Sequence, residues 1–260
     1  MDKPTTAGAQ SLRRALQLLR LLAEHQEDGI RLTEVMEASG LERSTAHRLL
    51  SCLVEEQFAE RDPDGKAYRL GIDAMQLGFA SMRRVPLVDA CRPLMQRLAR
   101  ISGDTVFLVI RQGDYCLCLA REEGHFPVKV FTTDVGGRRL LGLGAGGLAL
   151  MAALADAEVE RIVDRHTAEF TQAGFSRERL LQAVRRTRAA GYADIVDTLT
   201  VGVSGVGATF APSAGTLAAI SFGAITSRLP AQRKSDLAHL LQTQLAEVGK
   251  TAPHQGQNDG

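Results

Sequence analysis

Leu41-Glu42-Arg43-Ser44-Thr45-Ala46-His47-Arg48-Leu49-Leu50 is the stretch on which the reading of this chain turns. Ala46, Leu49 and Leu50, followed by Leu53 and Val54, recur at helical spacing and predict a helix from Arg43 to about Gln57 with one apolar face. Ser44, His47 and Arg48 stand three and four residues apart, so they share a side of that helix. Arg43, Thr45 and Ser51 add further polar groups around its start and middle.

The elements on either side supply a context. Ser11 is the expected N-cap of a first helix carrying Leu12, Ala15, Leu16, Leu19, Leu22 and Ala23, with Arg13, Arg14 and Arg20 on its other side. Gly29 breaks that pattern, Thr33 is the expected cap of a short second helix, and Gly40 is placed to stop it. Beyond the third helix, Phe58 to Arg61 and Ala67 to Leu70 read as two strands around Asp62-Pro63-Asp64-Gly65-Lys66, a stretch with turn chemistry. Helix, helix, glycine turn, helix and hairpin is the order of a winged helix-turn-helix, whose third helix enters the DNA major groove. Arg48 is then the candidate for bidentate contact with guanine, and Arg43, Ser44, Thr45 and His47 flank it. Arg13, Arg14 and Lys66 are better placed for phosphate.

Charge tempers this expectation. The 260 residues carry a net +1, and residues 1–80 hold ten Lys and Arg against thirteen Asp and Glu. Any DNA contact must come from local placement of charge rather than from a global basic field. With 45% hydrophobic residues the chain has ordinary globular composition. No apolar run reaches the ~18 residues that cross a bilayer, and no signal peptide stands at Met1, so a cytoplasmic protein is expected. Cys52, Cys91, Cys116 and Cys118 form no CxxC pair, and four reduced thiols are expected.

The remainder predicts an α+β domain. A connector helix from Ile72 to about Arg84 precedes Val85-Pro86, and a second helix runs from Val88 to Ile101. Strands are expected at Thr105 to Ile110, Tyr115 to Ala120, Val128 to Thr133, Val203 to Phe210 and Leu217 to Gly223, with helices after Gly147, Asp156, Ser176 and Pro230. Asp156 and Ser176 are the expected N-caps, and Gly191 a helix stop. The domains are thus a flexible tail at 1–10, a DNA-binding domain at 11–71, a linker helix at 72–86, an α+β domain at 87–248, to which the family resemblance given below assigns effector binding and oligomerisation, and a disordered tail at 249–260.

Gly142-Leu143-Gly144-Ala145-Gly146-Gly147 ahead of a helix suits an anion, because backbone N–H groups and the helix dipole converge there and glycines admit close approach. The same glycines serve equally well for close packing. The segment formally matches GxGxxG, but no parallel βαβ unit surrounds it, which speaks against a dinucleotide. An enzyme remains an alternative class, although Gly202-Val203-Ser204-Gly205-Val206 misses GxSxG, and the six His form neither HExxH nor a triad. Cys116 and Cys118, on one strand face, make at most half a metal site. No catalytic residue, metal or cofactor is assigned. A dimerisation protein whose helix-turn-helix has lost DNA binding is the third alternative.

Leu12-Arg13-Arg14-Ala15-Leu16, Gly40-Leu41 with Ser44-Thr45-Ala46-His47-Arg48-Leu49-Leu50, and Asp62-Pro63-Asp64-Gly65 with Tyr68-Arg69-Leu70-Gly71 resemble the IclR family of bacterial regulators over nearly the whole chain. The resemblance implies a winged helix domain, a linker helix and a GAF-like effector domain on a curved antiparallel sheet. It also implies homodimers or homotetramers on palindromic double-stranded operators, and a small carboxylate effector. Carried over residue by residue, it implies effector contacts at Leu143, Gly144 and Ala145, a retained hydroxyl at Ser221, an acid at Asp194 or Asp197, and further contacts at Thr209 and Gly223. The chain departs from the family pattern at Ile195, Thr198, Gly205 and Gly223. With fewer polar groups, and with Phe131 and Phe222 close in sequence, the expected ligand is an aromatic or larger organic acid.

Overall fold

Gly40 adopts φ 67° and ψ 17°, the left-handed conformation that ends one helix and lets the next restart three residues later. Its N–H donates to Met36 O at 2.9 Å. The computed structural model describes residues 8–63, 66–82, 86–213 and 216–251, and the chain divides into two compact units, Met1–Val85 and Pro86–Gly260. The wing-tip residues Asp64 and Gly65, residues 83–85 of the connector and the terminal stretches 1–7 and 252–260 lie outside the described residues.

In the first unit, α1 (Gln10–Glu24), β1 (Ile30–Arg31), α2 (Leu32–Ser39), α3 (Arg43–Glu55), β2 (Ala59–Arg61), β3 (Ala67–Leu70) and α4 (Ile72–Met82) follow one another. Leu18, Leu22, Ile30, Val35, Ala46, Leu50 and Tyr68 form its core. Two expected caps are corrected. Ala9 precedes α1, placing Ser11 inside the helix, and Arg31 precedes α2, where Glu34 Oε2 accepts the Arg31 N–H at 2.7 Å in place of a cap by Thr33. The apolar series on α1 is also incomplete as a core face, since Leu12 and Leu16 are exposed. β2 and β3 pair antiparallel, and β1, unforeseen in the sequence, adds to the far edge of β3 through Ile30 and Tyr68.

The second unit contains α5 (Pro86–Ser102), β4 (Thr105–Gln112), β5 (Tyr115–Glu122), β6 (Arg138–Leu140), α6 (Ala145–Ala152), α7 (Asp156–Arg165), α8 (Thr167–Gln172), α9 (Arg177–Ala190), β7 (Ala193–Val196), β8 (Val203–Ser213), β9 (Thr216–Ile225), a 3-10 turn (Thr226–Arg228) and α10 (Ala231–Thr251). Its strands form one antiparallel sheet in the order β6-β5-β4-β9-β8-β7. Val128 to Thr133 is not a strand. The edge of β5 is taken by β6, which leaves that segment no partner, and it runs as a loop. Ser176 does cap α9, accepting the Arg179 N–H, and Gly191 ends it at φ 76°. Ala155, not Asp156, precedes α7. Helix α10 continues through Thr251, so residues 249–251 are helical.

Alternation along the strands separates two cores. Val106, Leu108, Ile220 and Phe222 pack with α5 and α10, while Phe107, Val109, Cys116 and Ala219 pack with α6 and α9. Glycines let α6 lie almost on the sheet. A Cβ at Gly207 would stand 2.8 Å from Ala145 O, and one at Gly205 3.1 Å from Ala145 Cβ. On the opposite side, Asp104, whose side chain is 1% exposed, meets Arg228 Nε at 2.9 Å and Arg233 Nη2 at 2.7 Å, the second as an ion pair off the hydrogen-bonding axis. Asp104→Asn leaves two guanidinium groups without their counter-charge and should cost about 3 kcal/mol, read by urea denaturation followed by circular dichroism. Gly207→Ala should cost roughly 1–3 kcal/mol through overpacking against α6.

Candidate DNA-reading helix and effector cavity

Helix α3 buries Ala46, Leu50 and Leu53 and leaves Arg43, Ser44, His47 and Arg48 exposed, with Thr45 half-buried. Its start is fixed by short-range bonds: Ser39 Oγ donates to Val35 O at 2.6 Å and accepts from Leu41 N at 3.3 Å, and Ala46 N donates to Glu42 O at 2.9 Å. Arg13 is exposed and Arg14 half-buried in the first turns of α1, and Lys66 is exposed at the start of the returning wing strand. Asp62 pairs with Arg69, which also reaches Glu27 O at 3.5 Å, so one side of the wing is tied to the turn that follows α1. The structure therefore presents every side chain of the expected recognition set to solvent, in whole or in part.

The second site lies where α6 meets the sheet. Gly144 has φ 78° and ψ 157° and directly precedes α6, whose first residues Ala145, Gly146 and Gly147 are buried. Two adjoining lobes of about 40 Å3 each open there and share Phe107, Thr132, Arg139, Gly144, Ala145 and Ser221 as walls. Leu143 lines the first lobe, and Ile195, Leu199, Thr200 and Gly223 the second. Ser221 is 6% exposed and, among the described residues, has no side-chain hydrogen bond.

The structure thus brings together Leu143, Gly144, Ala145, Ser221 and Gly223, and sets apart Asp194, Asp197 and Thr209. Strand register explains the separation for Asp194, because directly opposed residues of an antiparallel pair project from the same face. Asp194 opposes Val206, which belongs to the α5 and α10 core, and it pairs with Lys234 Nζ at 2.8 Å. Asp197, at φ 49°, accepts from Gly202 N at 2.8 Å and Thr226 Oγ1 at 2.7 Å and so shapes a loop. Thr209 opposes Ala219 and lines neither lobe.

The aromatic walls also differ from the expectation. Phe131 is 54% exposed under the Arg121 guanidinium, 4.1 Å from its ring centre, and the Phe222 side chain is 1% exposed in the opposite core. Phe107 is the ring in the cavity. A Cβ at Gly223 would stand 3.0 Å from Phe107 Cε2, which accounts for glycine where a serine was expected.

Arg139 is the residue that the sequence reading passed over. Its partner across the strands is Cys116, which faces the cavity, whereas neighbouring Arg138 opposes Leu117 and stacks on Tyr115 at 4.5 Å. Arg139 donates to Thr132 O, binding β6 to the loop above the cavity, and its Nη1 lies 3.5 Å from the place of a Cβ on Gly144. Burial pulls its pKa below the ordinary guanidinium value. Burial acts the other way on the thiols of Cys116 and Cys118, pushing both up to about 11, so they line the wall as neutral groups. Among the described residues no cluster of His, Cys, Asp and Glu suits a metal, and no helix is long and apolar enough to cross a membrane.

Comparison with known proteins agrees with this arrangement. Residues 11–63 match the IclR helix-turn-helix domain, and residues 79–248 match the bacterial transcriptional regulator IclR C-terminal domain. The chain is 33% identical over 236 residues to the HTH-type transcriptional regulator BhcR of Paracoccus denitrificans (strain Pd 1222), covering 90% of this chain and 84% of that protein. An IclR-family regulator from Brucella abortus superimposes with a TM-score of 0.83 at 21% identity, covering 97% of both chains. An IclR homologue from Microbacterium hydrocarbonoxydans, crystallised with 4-hydroxybenzoate, gives 0.70 at 19% identity, covering 93% of this chain and 99% of that one.

All four cysteines are free, and Cys52 alone is exposed. A thiol reagent at pH 8 should modify one cysteine per native chain quickly and all four only after denaturation, since Cys91 is also buried and pushed up to about 11.

Proposed function

Since this chain belongs to the IclR family of DNA-binding transcriptional regulators, we propose that it reads a palindromic operator with the exposed face of α3, as a homodimer or homotetramer, under the control of a small carboxylate bound in the cavity at Gly144 and Ala145. Its relatives are named transcriptional regulators and repressors, and the chain is a regulator of that kind rather than an enzyme. The observation that carries the reading is the exposure of Arg43, Ser44, His47 and Arg48 along one helix that follows a left-handed glycine turn.

The roles of the basic residues divide by what each can reach. Arg48, with a forked donor set one turn into α3, discriminates between base pairs, while Arg13, Arg14 and Lys66 hold phosphates. With residues 1–80 net acidic, affinity rests on these few cations, and binding should weaken steeply with salt. One recognition helix per chain covers only a half-site, so a second copy supplies the other. A carboxylate in the cavity shifts operator affinity only by as much as it favours one conformation of the protein over another.

Fluorescence anisotropy with the chain's own upstream DNA, titrated with candidate carboxylates, tests both halves of the proposal and gives the direction of control. Arg48→Ala should reduce discrimination against a mutated operator by about 1–3 kcal/mol. Arg14→Ala should weaken operator and random DNA alike and flatten the salt dependence. Equal, sequence-independent losses from both variants would remove the division of labour, and absence of any shift at micromolar protein and moderate salt would remove DNA binding.

A further inference from the structure

We infer that Arg139 is the residue that reads the effector's charge and that it selects a monoanion, its carboxylate held between the Arg139 guanidinium and the Ser221 hydroxyl. This rests on the effector reading of the same cavity given above.

The argument begins with charge balance. Arg111 and Arg228, of comparable partial burial in the same unit, each end on a carboxylate, Glu158 and Asp104. Arg139 does not. Among the described residues its one side-chain bond goes to the carbonyl of Thr132, and the walls of both lobes contain no Asp or Glu. The other ionisable groups there, Cys116 and Cys118, stay neutral near pH 7. Among the described residues, the cavity therefore presents one positive charge that no carboxylate meets. One carboxylate neutralises it, a neutral ligand leaves it unpaired, and a dianion brings a second negative charge into a space with nothing to receive it.

Geometry supplies the second point of attachment. Ser221 projects from β9 into the same lobes with its hydroxyl unused, and the register that opposes Ser221 to Phe107 and to Gly207 keeps it facing the start of α6. A Cβ on Gly146 would lie 3.3 Å from Ser221 Oγ, so the hydroxyl stands within reach of the first turn of that helix. Carboxylate, guanidinium and hydroxyl make charge-assisted bonds, the strongest kind available to the site.

Size limits what the carboxylate can carry. A single water needs about 10–15 Å3 and a benzene-binding cavity about 150 Å3 on the same scale. Two adjoining lobes of about 40 Å3 each fit a chain of a few atoms against Phe107, Ile195 and Leu199 more closely than they fit a ring. That fit favours a carboxylate of two to four carbons over the aromatic acids suggested by the sequence.

Isothermal titration of the full-length chain with lactate, its neutral amide lactamide, the dianion malonate and benzoate tests this without any mutation. Lactate should bind at least tenfold more tightly than each of the other three. Arg139→Gln should lower lactate affinity roughly ten- to a hundredfold and bring the lactate-to-lactamide ratio towards one. Arg139→Lys should restore part of it, and Arg138→Gln, on the outer face of the same strand, should change nothing. Circular dichroism melting of each unliganded variant establishes that it is folded. Lactamide binding as well as lactate, or lactate binding unaffected by Arg139→Gln, overturns the role of Arg139. Benzoate binding more tightly than lactate overturns the size class. Failure of every carboxylate to bind, with the operator still bound, overturns the effector reading itself.

Discussion

The approach of α6 to the sheet is the constraint from which the effector unit is built. Ala145 lies over β8 so closely that positions 205 and 207 have no room for a side chain. This contact fixes the height of the helix start above β8 and β9, and that height is the depth of the cavity. It also brings the first turn of α6 down to Ser221 and Arg139, since a Cβ on Gly146 would lie 3.3 Å from Ser221 Oγ and one on Gly144 3.5 Å from Arg139 Nη1. Glycines at 205 and 207 thus set this approach by what they lack.

Electrostatics in the two units follow opposite plans. The DNA-reading unit is acidic overall and depends on where a few cations stand, which suits a protein that must reject most of the DNA it meets. The effector unit is dense in ion pairs, and against that background Arg139 is conspicuous because, among the described residues, no carboxylate pairs with it. In both cases the informative quantity is local charge rather than the total.

Much of the first unit was legible in the sequence, because a 3.6-residue period through Ala46 and Leu50 and a glycine at 40 are strong local signals. What was lost there was short or capped in unusual ways. A two-residue strand at Ile30 has no period, and a cap made by Glu34 reaching back to Arg31 is invisible to a search for Ser or Thr at the boundary. In the second unit the failures came from pairing. Val128, Val130 and Thr132 have the composition of a strand, yet a strand exists only where a neighbour accepts it, and Arg138–Leu140 had taken that edge. Which of two consecutive arginines faces the cavity, and that Asp194 does not, depends on register with a distant strand, information that no local pattern holds. The helix entry at Leu143, Gly144 and Ala145 was legible because a glycine run before a helix is a local feature, whereas Arg139 needed the sheet.

The turn at Gly40 separates two restrictions that usually act together. Nothing stands within 4 Å of the place where its Cβ would be, so the position disfavours other residues by handedness and not by crowding. A D-amino acid would be at ease there and an L-amino acid is not. The α2–α3 turn therefore owes its rigidity to the chirality of the chain itself, and the recognition helix is aimed by a rule that operates before any neighbour is touched.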